Sequence, residues 1–398
     1  MSARELHTGV ALNGDSVLRD DPAIESWKIN PDMLSPGARN LWRQENESPI
    51  IISEDRSLRP KVLDACGMAC VFCHNEGTPV VSEIRAAEKK GARTLGRVSI
   101  YSPSNGVFFL PGRMKPDERF REAISTLRGS VGLEELHLTG GEPTLHPELA
   151  SLIRIASDEN LKVKMTSNGE NPRSFAEYAD AGLESVVFSI FGTSPEELAQ
   201  VQSDRFKNTY LAERKINNLH QSIDTALASG VKAKANVVVT GFGQESRIKN
   251  ILGRFNGISL RLLNSLDDGD ESYAAIYETL SGLGAAPKYT EITAGSSKVS
   301  VRYDLPDGSD IGFKQIRPAR FDHVCKDCPI DRAGKCEEGF YGLRLYVDEQ
   351  GEYLVGVCIQ RMDLVMHLDE FSKSDVPNQL RAYRESEKLQ LTERFGVR

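Results

Sequence analysis

Short apolar runs with strand character recur at Lys61–Asp64, Leu133–Thr139, Leu161–Ser167, Ser185–Ile190, Val231–Val239 and Ile258–Leu263. Between them the apolar positions change period. Phe120, Ala123, Ile124 and Leu127 form one helical stripe. Leu149, Leu152, Ile153 and Ala156 form a second, and Ile248, Ile251, Leu252 and Phe255 a third. Strand-then-helix alternation at this spacing implies parallel strands joined by helical crossovers. Six such runs predict an open, incomplete barrel with its chemistry at the C-terminal ends of the strands.

The pattern changes on either side. Residues 1–55 hold both tryptophans, Trp27 and Trp42, with little periodicity, and read as an irregular N-terminal extension. Residues 56–266 are the barrel, and residues 267–398 read as a smaller α+β domain. There Lys298–Tyr303 and Ile311–Ile316 predict one hairpin, Tyr341–Val347 and Tyr353–Cys358 another, and a charged helical tail ends the chain. A further hairpin, Arg97–Tyr101 with Val107–Leu110 about Asn105-Gly106, is either a surface decoration or a lid over the catalytic rim.

Composition narrows the classes. Of 398 residues, 39% are hydrophobic and 27% charged, with net charge −8. No apolar run is long enough for a membrane span and Met1–Asp20 lacks signal-peptide blocks, so the expectation is a cytoplasmic protein without a membrane partner. The acidic balance, with no lysine-arginine block, argues against a nucleic-acid polymer as partner. A nucleotide-sized substrate stays open, because a pocket can carry a charge opposite to that of the whole chain.

The seven cysteines fall into a group of three and a group of four. An odd count in a reducing compartment favours metal ligation over disulfides. Cys66-x3-Cys70-x2-Cys73 follows the first strand; three thiolates there can hold a [4Fe–4S] cube and leave one iron open. A zinc knuckle would need His74 as its fourth ligand. Cys325, Cys328, Cys336 and Cys358 suit either a four-thiolate zinc site or a closed second cluster.

Polar residues gather at later strand ends. In Gly140-Gly141-Glu142-Pro143 the glycines permit close backbone approach, and the carboxylate can accept from an ammonium group. Ser167-Asn168, Ser189 and Asn236 could each be a helix cap or strand end, but their recurrence favours a ring of ligand contacts. His74 and His137 lie near the same rim; a lone histidine is more often structural, and neither is assigned a catalytic role.

In this order the motifs resemble those of the radical S-adenosylmethionine (SAM) enzymes. Within that superfamily the chain is similar to the cyclic pyranopterin precursor synthase-like subgroup, with a C-terminal auxiliary-cluster domain of the twitch or SPASM kind. The resemblance implies a partial (β/α)6 barrel of the radical SAM type followed by that smaller domain. It implies that Cys66, Cys70 and Cys73 bind the SAM cluster, and that Cys325, Cys328, Cys336 and Cys358 bind a second [4Fe–4S] cluster. Phe72, Gly140, Gly141, Glu142, Ser167, Asn168, Ser189, Asn236 and Leu266 would contact SAM, and Lys234 and Arg344 the substrate. An external electron donor such as flavodoxin or ferredoxin is implied as partner.

The implied activity is reductive cleavage of SAM to a 5′-deoxyadenosyl radical, which takes hydrogen from a small nucleotide- or sugar-like metabolite in a biosynthetic tailoring step. His137 and Gly342 stand where the subgroup has arginines, which implies a substrate of its own. Two alternatives accompany this reading. One is a maturase acting on a peptide, although residues 1–55 show no hairpin-plus-helices pattern for a leader peptide. The other is an iron–sulfur sensor that binds SAM without turnover.

Overall fold

The computed structural model describes residues 29–68, 70, 112–202, 207–255, 257–265, 268–329, 331, 336, 338–359 and 361–396. In chain order the strands are β1 (Ile50–Glu54), β2 (Ser57–Pro60), β3 (Glu135–Leu138), β4 (Lys162–Ser167), β5 (Leu183–Ser189), β6 (Lys232–Val239) and β7 (Ser259–Asn264). After them come β8 (Ala286–Ala294), β9 (Lys298–Asp304), β10 (Asp310–Ile316), β11 (Leu343–Val347), β12 (Tyr353–Gly356) and β13 (Met366–His367). The helices are α1 (Pro36–Asn46), α2 (Glu118–Val131), α3 (Leu149–Asp158), α4 (Phe175–Asp180), α5 (Pro195–Gln200) and α6 (Thr209–Ala228). They continue with α7 (Glu245–Arg254), α8 (Gly269–Gly282), α9 (Asp322–Cys325), α10 (Leu368–Lys373) and α11 (Val376–Phe395).

β2 to β7 pair in sequence order and in parallel, giving the curled half-barrel that the alternation predicts. Five of its six strands lie where expected. The first sits at residues 57–60 rather than 61–64. Beyond Pro60 the ladder lasts only through Lys61 N to Leu345 O and Val62 N to Thr139 O; the chain then bonds the loop after β3, with Gly141 N donating to Leu63 O at 2.9 Å and Glu142 N to Ala65 O at 2.8 Å. Val62 and Leu63 are buried, so their apolar run looks like a strand in sequence.

The stretch read as irregular contains α1 and β1. Ser35 caps α1 through its Oγ, Pro36 occupies the first turn, and β1 pairs in parallel with β8. The helical stripe was hidden because Glu45 lies on the buried side of α1. Its carboxylate accepts from Tyr277 Oη at 3.1 Å, Tyr303 Oη at 2.5 Å and Gln315 Nε2 at 3.0 Å.

Residues 267–398 extend the same thirteen-stranded sheet at both edges. The expected hairpins are present, as β9 with β10 and β11 with β12. β10 joins β7 in parallel and β11 joins β2 in parallel, so neither edge of the half-barrel is left unpaired. The charged tail is α11. The hairpin expected within residues 97–110 lies outside the described residues. No helix among the described residues is long and apolar enough to cross a membrane.

Strand alternation sorts the two faces of the sheet. On β6, Ala233, Ala235, Val237 and Val239 are buried in the main core, while Lys234 and Asn236 take the opposite face. The same rule turns Arg59, His137, Lys164, Thr166 and Arg261 toward the concave interior.

Candidate active site

The loop after β3 is laced to the cysteine loop by the two bonds above. A Cβ at Gly140 would fall 2.5 Å from Leu63 O, and one at Gly141 2.3 Å from the carbonyl oxygens of Asp64 and Ala65. The glycines therefore serve a backbone-to-backbone approach. Glu142 is buried and its carboxylate is fully engaged. It accepts from Thr144 N at 3.0 Å, Thr144 Oγ1 at 2.7 Å, Ser167 Oγ at 2.7 Å and Asn168 N at 2.6 Å. Burial pushes this carboxyl above its ordinary range, and the donated bonds offset part of that. Glu142 and Ser167 thus tie the ends of β3 and β4 together beneath the cysteine loop.

Cys66 and Cys70 sit on that loop. Asn168 Nδ2 donates to Cys66 Sγ at 3.6 Å and Gln202 Nε2 to Cys70 Sγ at 3.3 Å. Asn168 is 6% exposed, and its Oδ1 finds no hydrogen-bond partner among the described residues. Ser189 and Asn236 lie side by side in register at the ends of β5 and β6. Cys73, Phe72, His74 and Leu266 lie outside the described residues.

The interior of the half-barrel is strongly basic. His137 on β3 feels the charges of Arg59, Arg261, Lys164 and Lys298, which come from four other strands, so these side chains share one concavity. Lys234 is pushed down to about 8, chiefly by burial and then by Arg302, Arg261, Lys164 and Lys298. Arg344 is paired in register with Arg59 and 4% exposed. Tyr341 lies against Arg59, 4.9 Å from its ring centre, and Lys314, 4.4 Å away. Burial raises the Tyr341 hydroxyl, but Lys314 and Arg59 outweigh it and bring it down to about 8. Carboxylates meet part of this charge: Lys164 pairs with Glu135, and Arg302 with Asp310 at 3.0 Å.

The C-terminal cysteines come from α9, the segment after it and the end of β12. Cys325 is pushed up to about 11, first by burial and also by the thiols of Cys358 and Cys336. Cys336 N donates to Asp331 Oδ1 at 2.8 Å, and Asp331 in turn holds Arg320 at 2.5 Å. Among the described residues no three histidine, cysteine, aspartate or glutamate side chains stand in a metal-holding group.

Residues 61–247 match the family model described as the radical SAM superfamily. The chain carries a radical SAM domain. It is similar to the GTP 3′,8-cyclase of Nautilia profundicola, at 27% identity over 55% of this chain and 69% of the relative. It is also similar to the GTP 3′,8-cyclase of Aquifex aeolicus, at 27% identity over 53% of this chain and 57% of the relative. Other such cyclases match over about half their length, as that of Aeromonas hydrophila does at 54%. The SAM-bound structure of Streptococcus suis SuiB aligns at a TM-score of 0.45 and 12% identity, over 83% of this chain and 68% of that one.

A radical SAM enzyme uses a [4Fe–4S] cluster and SAM. The residues described fit them: two thiols on one loop accept amide N–H bonds, and Asn168, which gives one of those bonds, carries a buried oxygen with no partner among the described residues. Sequence reasoning missed Gln202 and the basic interior formed by Arg59, Lys164, Arg261, Lys298, Arg302 and Lys314. Part of the interior left a trace: Arg59, Lys164, Arg261 and Arg302 are charged residues inside strands with apolar neighbours, as in Leu260-Arg261-Leu262, a pattern that solvent-facing strand positions share.

Proposed function

We propose that this radical SAM enzyme acts on a small, phosphate-bearing, nucleotide-like metabolite held in the half-barrel. The observation that carries the reading is the basic interior of a chain whose net charge is −8. Cations that face one another in a concave, water-poor space repel unless an anion joins them. Lys234, Arg261 and Lys298 would grip that anion, and Arg59 with Arg344 would bound it on the opposite wall. His137, bonded to Thr166 Oγ1 at 2.7 Å and held neutral by burial among these cations, would offer a neutral edge where a further arginine would overload the site. The two GTP cyclases support a nucleotide as the substrate class.

When bound, the cluster and SAM supply a 5′-deoxyadenosyl radical that removes a hydrogen atom from carbon. The chain's part is to position the substrate and exclude water. Cys325, Cys328, Cys336 and Cys358 would hold a second [4Fe–4S] cluster within residues 267–398, supported by the mutual influence of Cys325, Cys336 and Cys358. A one-electron donor of the flavodoxin or ferredoxin type would reduce the first cluster.

Thermal melting of the reconstituted protein with GTP, guanosine and glucose 1-phosphate tests the substrate class. GTP should raise the melting temperature and guanosine should not, because the phosphates carry the attraction. Lys234→Ala/Arg344→Ala should abolish the rise. If GTP and the sugar phosphate both leave the melt unchanged, the substrate is not a phosphate ester and the reading fails.

A further inference from the structure

The crossover between β5 and β6 is built from α5 and α6, and it does more than return the chain to the sheet. Leu198, Ala199, Ala212 and Ile216 from these helices pack with Met68 and Cys70 in a small apolar cluster separate from the main core, with Cys66, Phe191 and Val201 at its edge. Gln202, just past α5, is 3% exposed. It forms an antiparallel bridge with Cys70 as well as donating to its sulfur.

A second hold acts between these cysteines. Gly67 N donates to Glu170 Oε2 at 3.1 Å, and Lys215 Nζ from α6 donates to Glu170 Oε1 at 3.0 Å. Both partners are mostly buried, at 13% and 16% side-chain exposure. Asn218 Nδ2, one turn further along α6, donates to Glu170 O at 3.0 Å. A Cβ at residue 67 would fall 1.8 Å from the Glu170 carboxylate, so glycine leaves room for this contact and a side chain there would push the carboxylate aside.

We propose that the α5–α6 hairpin is the seat of the first cluster. Gln202 and Asn168 tune it through N–H···S bonds, and Lys215, acting through Glu170, fixes the loop between Cys66 and Cys70. An N–H bond to a cysteine sulfur stabilises the more negative, reduced cluster and so raises its potential. The Lys215–Glu170 pair is a positioning device: it touches loop backbone, not sulfur. The inference rests on the superfamily's cluster and is independent of which substrate the interior holds.

The test uses the full chain reconstituted anaerobically with iron and sulfide. The cluster with an open iron is followed through the part of its electron paramagnetic resonance signal that SAM perturbs. Gln202→Leu should keep its iron but titrate at a lower midpoint potential. Lys215→Met should release iron to a chelator about tenfold faster, the scale typical of lost support around metal ligands. Lys215→Arg should restore most of the retention.

Melting of the cluster-free variants separates this role from a general effect on folding. A normal cluster-free melt with a shifted potential for Gln202→Leu and faster iron loss for Lys215→Met supports the proposal. An unchanged potential for Gln202→Leu, or wild-type iron retention in Lys215→Met, overturns it. So does iron loss that merely follows a lowered cluster-free melt.

Discussion

The two cysteine groups live in different chemical surroundings. Cys66 and Cys70 sit on one short loop, in a small apolar seat, with neutral amides directed at their sulfurs. Cys325, Cys328, Cys336 and Cys358 come from separate segments, and charged groups brace them. Arg320 bonds Asp331 and Cys336 O, and Arg361, tied to Asp363 at 2.7 Å, lies beside Cys328. Amide donors adjust a site's electronic balance without adding net charge, whereas guanidinium–carboxylate braces fix geometry across distant segments. The first arrangement suits chemistry at an open iron. The second suits a closed site that holds structure or passes electrons.

Cysteine replacement should break this contrast most strongly. Cys66→Ala/Cys70→Ala should eliminate 5′-deoxyadenosine formation while the second site keeps its metal. Cys325→Ala/Cys328→Ala should lose the iron of one cluster and leave the SAM-perturbed signal of the first. Metal analysis of the purified variants decides it: zinc in the wild type that disappears from the second variant would make the C-terminal site a structural zinc.

Asp331→Ala should act on the second group alone. Asp331 is 9% exposed and accepts from both Arg320 and Cys336 N, so its loss strands donors around Cys336. The expected cost is about 2 kcal/mol in a denaturant melt, the usual scale for bonds to a charged group. If the variant also loses the SAM-perturbed signal, the two sites are coupled and the contrast drawn above is too sharp.

Sequence periodicity exposed the barrel because its outer face obeys simple rules. Phe120, Ala123, Ile124 and Leu127 are all buried on α2, as their spacing requires. Where a polar residue occupies the buried side, the same logic fails, as Glu45 shows on α1. Most of the basic interior was missed for the converse reason. Lys164, Arg261 and Arg302 alternate with apolar neighbours just as solvent-facing residues do, and only closure of the sheet makes their face an interior. The glycines of Gly140-Gly141-Glu142 announced close approach but not its partner, which is the backbone of the cysteine loop. Gln202 carried no signal, because its role depends on a bridge between chain segments 132 residues apart.

The smallest expected effect contrasts the two walls of the interior through pH. Lys234 and Tyr341 both titrate at about 8, each below its ordinary value. As pH rises through 8, Lys234 loses its positive charge and Tyr341 gains a negative one. Arg59, Arg261 and Arg302 keep theirs. GTP affinity should therefore fall between pH 7 and 9, by at most about tenfold per pH unit for each group.

Stability should move the other way. Both groups are held below their unfolded values of 10.5 and 10.0, so their contribution is fully present above those values and is lost as pH falls through 8. Ligand-free melting should show this as a gain in stability from pH 8 to 10. Lys234→Met should remove its share of both trends. Calorimetric titration of GTP across this range, beside ligand-free melts, checks the pair. Parallel trends in affinity and stability would mean that the bound anion lies away from Lys234 and Tyr341.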